Sequence, residues 1–275
     1  MNSLILQKNN QGRIEWIDAL KGLTIILVVF SHVELKGMGL QNSVVNSFFI
    51  LFRMPLFFFM SGFLAYHAGF VWNESNIRAL LLKKTRIQLV PTAFWGLINC
   101  AIIKGDGRVN SLIFNMFHNG YWFTLVLMEM FMIYFFVSWL SNKCLGKKDG
   151  LVALGILAVI VSYLSDDGGI VYNAFSFSQL CAYLQFFVFG LLCRKHGCIL
   201  DCIIKNKYLM AALILLWFAS VYFALFDFGT TMISTVFQNT FKLLAGYLGI
   251  GVLVSFFYLY QNLFSHSTVK GRYLQ

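Results

Sequence analysis

Apolar residues along this chain come in long continuous runs, with polar residues gathered between them. Eight runs stand out, at about residues 17–36, 46–69, 87–104, 121–140, 150–164, 176–194, 208–227 and 234–262. A helix needs about 20 mostly apolar residues to cross a bilayer, whereas a membrane β-strand needs only about ten in alternation. The fifth run is short for a span, and the last is long enough to be tilted or broken. The pattern predicts an all-α, polytopic transmembrane helix bundle that forms a single membrane domain over residues 1–275.

The distribution of basic residues orients these spans. The chain has 21 Lys and Arg against 11 Asp and Glu, which gives a net charge of +10. With the N-terminus in the cytoplasm, 16 of the 21 fall in inside segments and only 3, Lys36, Lys104 and Arg108, in outside loops. Cytoplasmic loops of membrane proteins carry such an excess of Lys and Arg. The bias predicts cytoplasmic N- and C-termini, and it explains the positive charge without a nucleic-acid partner.

Composition excludes several other classes of protein. Only 12% of the residues are charged and 59% are hydrophobic, whereas a soluble domain has roughly 25% charged residues. The N-terminal residues are polar and no small-residue cleavage site follows the first run, so we expect a retained helix and not a cleaved signal.

Cys193, Cys198 and Cys202 surround His196, but their spacing does not suit common zinc sites. We therefore expect no metal and ordinary reduced cysteines.

The first span contains polar residues where a bilayer makes them costly. Lys21 and His32 lie inside the apolar run, and Asp18 lies just before it. Eleven residues make three helical turns plus about 20°, so Lys21 and His32 share one face, with Asp18 about 40° from His32. Lys21 is either an interfacial anchor or a functional cation, and His32 is either a packed histidine near the outer interface or a general base. Ionisable residues within spans are functional candidates by default.

Among the ionisable residues within later spans, Arg53 and Glu129 are further functional candidates. Arg53 is followed by Pro55, which frees a backbone carbonyl, and by Ser61 and Gly62, which permit close helix approach. Glu129 lies in the fourth span, where a carboxylate needs a partner or a cavity. Two interpretations stay open: a kinked packing helix with Arg53 paired to Glu129, or a helix bent around a functional cavity.

A basic cluster of Lys83, Lys84 and Arg86 precedes the third span, which contains Pro91. The commoner explanation for such a cluster is a positive-inside anchor. The functional alternative is a phosphate site, because Lys and Arg at the mouth of a membrane protein suit a polyanionic ligand.

Taken together, these segments resemble the acyltransferase family 3 membrane proteins. Lys21, ten intervening residues and His32 match that family's opening motif of a basic residue, ten residues and a histidine. Residues 53–58 and 61–63 resemble its second-helix motif, Lys83-x-x-Arg86 with Pro91 resembles its Arg-x-x-Arg element, and residues 121–123 resemble the aromatic start of a later helix. The agreement covers residues 13–130, and the lysine variant with segment 53–58 is most similar to the fucose 4-O-acetylase-like branch.

The resemblance implies a membrane-embedded O-acyltransferase of the bacterial inner (cytoplasmic) membrane. Such an enzyme moves an acyl group, most often acetyl from acetyl-CoA, to a hydroxyl of a cell-envelope or exported carbohydrate, which is often lipid-linked. We expect His32 to be the general base or a transient acyl carrier. Lys21 is expected to position the thioester or stabilise the oxyanion, and Asp18 to orient Lys21. The expected binding residues for acyl-CoA are Lys83, Lys84 and Arg86, and the expected supporting cavity residues are Arg53, Glu129 and Ser61.

The family commonly has about ten spans, against the eight that hydropathy predicts for this chain. Gly271-Arg272-Tyr273 resembles the opening of the family's C-terminal Gly-Arg/Lys-Tyr-Ser motif, but the sequence then stops at Gln275. The chain is therefore expected either to lack C-terminal spans or to be a naturally short member. Two other functions stay as alternatives, a transporter or flippase of an envelope intermediate and an inactive membrane scaffold. Many transporters contain inverted repeats, and we find no internal repeat in this sequence.

Overall fold

The computed structural model describes residues 14–39, 43–67, 70–98, 122–144, 150–164, 176–197, 201, 204, 206–226 and 232–261. Throughout these residues the regular secondary structure is helical, which confirms the predicted all-α fold. The α-helices are α1 (Glu15–His32), α2 (Val44–Ala65), α3 (Glu74–Lys84), α4 (Val90–Ile98), α5 (Trp122–Cys144), α6 (Gly150–Leu164), α7 (Phe177–Lys195), α8 (Lys207–Leu225) and α9 (Met232–Leu259).

Within this part of the chain, six helices are long and apolar enough to cross a membrane: α1, α2, α5, α7, α8 and α9. They correspond to the first, second, fourth, sixth, seventh and eighth predicted spans. α6 has 15 residues, in agreement with the short fifth run, and α9 runs unbroken over 28 residues. The predicted third span contains α4, and its residues 99–104 lie outside the described residues, as do Tyr121, Cys198, Cys202 and residues 271–275. The chain is a multi-pass membrane protein.

The described residues also include two short π-helical segments. Val33–Gly37 continues α1 beyond His32, and Thr85–Leu89 connects α3 to α4. In the second segment the N–H of Val90 donates to the carbonyl of Thr85, five residues back. Pro91, which has no N–H, follows directly. Single wide turns of this kind occur frequently at functional sites.

Helix α3 was not predicted from the sequence. Its N-terminus is capped by Asn73, whose side chain accepts a hydrogen bond from the Asn76 N–H at 2.8 Å. Lys83 and Lys84 lie in its last turn, where cations interact favourably with the helix dipole. No residue of α3 is fully buried. A scan for continuous apolar runs does not detect a short helix of this kind.

The described helices belong to two compact units, residues 1–66 with 193–275 and residues 67–192. In the first unit, Phe52 of α2 packs edge-on against Trp217 of α8, with ring centroids 5.4 Å apart. Gly249 of α9 lies against the same indole, and a Cβ atom there would come within 2.9 Å of Trp217 Nε1. Near the start of α1, Trp16 packs against Phe63 of α2, at 5.6 Å. This packing holds α1, α2, α8 and α9 together.

The second unit has its core between α5 and α7. Phe131 and Tyr134 of α5 contact Phe187 of α7 at ring-centroid distances of 5.4 and 6.4 Å. All three side chains are buried. Trp72 packs against Tyr134 at 5.3 Å. The segment before α3 is therefore fixed to α5, while α3 itself lies at the periphery of the unit.

Candidate active site

Asp18, Lys21 and His32 lie on the single helix α1. The Nζ atom of Lys21 lies 3.4 Å from Oδ1 of Asp18, and the two side chains are 38% and 48% exposed. His32 is also exposed. The buried stripe of α1 includes Leu20 and Leu27, and at 3.6 residues per turn the three polar residues lie about 100–160° from Leu20. They therefore face away from the packed side of their helix.

A polar network that the sequence analysis missed begins one residue before His32. Ser31 and Asn46 are both buried, and the Ser31 hydroxyl donates to Oδ1 of Asn46 at 2.7 Å. The same oxygen accepts a hydrogen bond from Nη1 of Arg53 at 3.2 Å. Seven residues separate Asn46 from Arg53, which places both on one face of α2, and this spacing was the signal available in the sequence. The network connects Arg53 to the turn of α1 that carries His32.

Glu34, two residues after His32, was also missed. It lies in the π-helical segment Val33–Gly37 and is only 7% exposed. Its Oε2 atom is buried and has no hydrogen-bond partner among the described residues. Burial of an ionisable carboxylate within a membrane protein is costly and commonly marks function. Glu34 therefore joins the candidate site.

Ser61, predicted as a supporting cavity residue, is engaged with its own helix. Its hydroxyl donates to the carbonyl of Phe57 at 3.0 Å, four residues back in α2. This is a common bond of serine within a helix, and it satisfies the hydroxyl locally. The participation of Ser61 in a cavity stays a prediction.

The basic cluster in the second unit divides into two kinds of side chain. The Nζ atom of Lys84 lies 3.8 Å from the centre of the Phe131 ring, an arrangement favourable for a cation–π interaction. Phe131 is only 2% exposed, so Lys84 is directed toward the core. Lys83 and Arg86 are exposed, and Arg86 lies in the π-helical segment Thr85–Leu89. Lys83 and Arg86 are therefore the more accessible cations for an anionic ligand.

Glu129 of α5 is half-buried. Its Oε2 atom is buried and accepts no hydrogen bond within the part of the chain that the structure describes. Nearer the start of α5, the hydroxyls of Thr92 and Thr124 lie 2.9 Å apart and link α4 to α5. The pairing of Arg53 with Glu129 stays a prediction.

The exposed face of α1 combines a group that transfers protons with a cation. Neutral histidine accepts protons near neutral pH and is the commonest general base. The backbone positions of Lys21 and His32 are about 16 Å apart along the helix axis, at a rise of 1.5 Å per residue. A group that stabilises an oxyanion must lie within about 3 Å of the developing charge. Lys21 and His32 can therefore act together only on separate portions of one extended ligand.

Comparison with protein families identifies the chain. The family model of the acyltransferase domain, acyltransferase family 3, matches residues 14–271. No curated protein sequence and no solved structure matches the chain. The family match confirms the resemblance found in residues 13–130 and extends it almost to the end of the sequence, while the fucose 4-O-acetylase-like branch stays a prediction. The chain belongs to acyltransferase family 3 and is a membrane acyltransferase.

Proposed function

We propose that this membrane acyltransferase moves an acetyl group from acetyl-CoA to a hydroxyl of a cell-envelope or exported carbohydrate. The observation that carries the proposal is the exposed face of α1, which holds both Lys21 and His32 in a chain of this family. The excess of basic residues in alternate loops supports a cytoplasmic N-terminus in a bacterial inner membrane. On that topology the donor comes from the cytoplasmic side, and His32 lies toward the outer face, where a glycan acceptor is available.

His32 is the proposed general base. Its imidazole takes the proton of the acceptor hydroxyl while the hydroxyl oxygen forms a bond to the thioester carbonyl carbon. The carbon–sulfur bond then breaks, and the released thiolate takes the proton back from His32 as free coenzyme A leaves. The exposure of His32 supports this role because an acceptor can approach the ring.

Lys21 is proposed to position the donor at a distance from the reacting carbonyl. The separation of about 16 Å along α1 disfavours its other expected role, direct stabilisation of an oxyanion beside His32. Acyl-CoA is an extended molecule with its phosphates far from its thioester. Lys21 and His32, both on α1, can therefore contact two separate parts of it. The contact with Asp18 at 3.4 Å supports an orienting role for that carboxylate.

The Ser31–Asn46–Arg53 network is proposed to position His32. The Ser31 bond to Oδ1 of Asn46 joins α1 to α2 beside the histidine, and the Arg53 bond to the same oxygen, within α2, holds Asn46 in place. A catalytic group that is misplaced by about 1 Å can lose about a hundredfold in rate. Arg53 therefore acts through the network as a positioning residue.

The donor phosphates are proposed to bind Lys83 and Arg86, because both side chains are exposed and positively charged. Arg can hold a phosphate through two parallel hydrogen bonds, and Lys supplies a compact charge. Lys84 lies between these two residues in sequence, but its ammonium contacts the Phe131 ring. We therefore expect Lys84 mainly to stabilise the fold.

Acyl transfer by membranes that contain the protein tests this proposal directly. Membranes with the wild-type protein, His32→Ala or His196→Ala are incubated with radiolabelled acetyl-CoA, and the label is followed into lipid-linked and exported glycans. His196 is also exposed and serves as the matched control. Loss of a general base lowers the rate by about 10²–10⁴-fold, so we expect His32→Ala to lose almost all transfer and His196→Ala to keep it.

Each other outcome has a definite meaning. Full transfer by His32→Ala would exclude the proposed role of this histidine. Absence of transfer by a folded, inserted wild-type protein would contradict the proposed reaction and favour the transporter or scaffold alternatives.

A further inference from the structure

A groove in the second unit lies between α3 and α5, and none of the residues that line it is assigned above to catalysis or donor binding. Its volume is about 490 Å³, within the range of about 300–1,000 Å³ that is typical of small-molecule sites. Its lining is mainly apolar and includes Leu81 of α3 and Met132, Phe135 and Trp139 of α5.

The dimensions of the groove match an acyl chain. On this side its lining extends from Glu74, at the start of α3, to Thr85, the first residue of the π-helical segment, a length of about 16 Å at 1.5 Å per residue. The hydrocarbon core of a bilayer is about 30 Å thick, so one leaflet contributes about 15 Å. The groove therefore has room for one lipid tail that lies parallel to α5.

One end of the groove lies at the level of the membrane interface. Trp139 is near the C-terminus of the membrane-spanning helix α5, and the Nζ atom of Lys143 lies 4.8 Å above its ring. Tryptophan at the end of a span and a neighbouring lysine are typical of the headgroup region.

The polar rim of the groove carries one charge of each sign. Glu74 and Arg78 both line it, four residues apart on α3, and so lie side by side on the helix surface. They form no ion pair with each other among the described residues. An anionic ligand would meet the carboxylate of Glu74, and a cationic ligand would meet the guanidinium of Arg78. A headgroup with both charges is complementary to the pair.

We propose that this groove binds a membrane phospholipid with a phosphoethanolamine headgroup. The tail lies against Leu81, Met132 and Phe135, the phosphate binds Arg78, and the ammonium donates hydrogen bonds to Glu74. Arg is well suited to phosphate because it forms charge-assisted hydrogen bonds. A trimethylated choline headgroup has no N–H to donate to Glu74, so the site distinguishes between these two lipids.

Native mass spectrometry of the purified full chain tests the proposal. The protein is equilibrated in detergent with equal amounts of phosphatidylethanolamine and phosphatidylcholine of identical acyl chains, and the retained lipids are counted. From the energy of exposed charge pairs, we expect the wild type to prefer phosphatidylethanolamine by roughly twofold to fivefold. Glu74→Gln removes the preference, and Arg78→Gln lowers the retention of both lipids.

A pair of tryptophan variants separates the groove from the rest of α3. Leu81→Trp fills the groove, whereas Ala79→Trp adds the same indole at an exposed position outside it. We expect Leu81→Trp to lose most of the retained lipid and Ala79→Trp to retain as much as the wild type. The melting temperature of each variant in detergent identifies any that has not folded.

Three results would overturn the proposal. The wild type would show no preference between the two lipids, Leu81→Trp would retain as much lipid as Ala79→Trp, or palmitoyl-CoA would displace phosphatidylethanolamine by competition. The last result would assign the groove to the acyl chain of the donor. Because lipid retention is measured without acyl transfer, failure of the proposed reaction and failure of this proposal are distinguishable.

Discussion

Replacing Asn46 by alanine removes the acceptor that Ser31 and Arg53 share. The Ser31 hydroxyl donates to Oδ1 of Asn46 at 2.7 Å and Arg53 donates to it at 3.2 Å. Ser31→Ala removes only one of the two donors. The wild type, the two single variants and the double variant form a cycle that isolates the interaction between Ser31 and Asn46.

The expected losses of stability depend on burial, and Ser31 is only 2% exposed and Asn46 only 7% exposed. A buried group that loses its hydrogen-bond partner costs about 1–3 kcal/mol, so we expect Asn46→Ala, which affects two donors, to lower the free energy of unfolding by roughly 2–4 kcal/mol. Hydrogen bonds between membrane helices average about 0.6 kcal/mol and reach about 1.7, so Ser31→Ala should cost roughly 0.6–1.5 kcal/mol. In the Asn46→Ala background the same change should cost close to zero, because the hydroxyl no longer has its acceptor.

Equilibrium unfolding in mixed micelles of a mild detergent and sodium dodecyl sulfate measures these free energies, provided that the transition is reversible and two-state. We expect an interaction energy of about 0.5 kcal/mol or more between the two sites. Ser162→Ala is the matched control, because the Ser162 hydroxyl donates to the carbonyl of Val159 at 2.7 Å, within its own helix α6. Equal costs of Ser31→Ala in both backgrounds, within about 0.3 kcal/mol, would refute the reasoning.

Two further predictions use the same unfolding assay. We expect Gly249→Ala to lower the free energy of unfolding by about 1–3 kcal/mol, because the new Cβ would meet Trp217 Nε1 at 2.9 Å. Gly22→Ala should be neutral or stabilise by up to about 1 kcal/mol, because nothing lies within 4 Å of a Cβ there. Equal effects of the two substitutions would contradict the close packing at Gly249. We expect Lys84→Gln to destabilise the protein by about 0.5–2 kcal/mol through loss of the cation–π contact with Phe131. Lys83→Gln should keep the stability of the wild type and raise the KM for acetyl-CoA. A raised KM in Lys84→Gln without a loss of stability would show instead that Lys84 binds the donor.

Most of the membrane-spanning structure could be predicted from the sequence, because an apolar run of about 20 residues has few other stable arrangements. The predicted span 176–194 became α7 at Phe177–Lys195, and 208–227 became α8 at Lys207–Leu225. Helix α3 could not be found in this way. Its sequence mixes polar and apolar residues, and its helical start depends on the Asn73 cap.

The candidate site was predictable where its residues lie on one helix. Helical periodicity places Lys21 and His32 on one face, and α1 is uninterrupted between them. The hydrogen bond between Ser31 and Asn46 joins two helices, so it depends on how α1 packs against α2. The difference between Lys83 and Lys84 likewise depends on the position of α5, which supplies Phe131. Neither contact is encoded in a pattern along the chain.

Glu34 is a different case, because the periodicity of α1 did contain its signal. Counted at 3.6 residues per turn, Ser31 lies about 20° and Glu34 about 40° from the buried Leu20, so both fall on the packed side of the helix. Both are indeed buried, although the turn that carries Glu34 is π-helical. The packed stripe of α1 thus contains apolar Leu20 and Leu27 and polar Thr24 and Ser31, and Glu34 continues it in the π-helical turn beyond His32. The buried Thr24 hydroxyl bonds within its own helix, whereas Ser31 bonds to α2 and Oε2 of Glu34 has no hydrogen-bond partner among the described residues. Burying Ser31 and Glu34 is therefore costly to stability, and we expect both to serve the proposed reaction at His32.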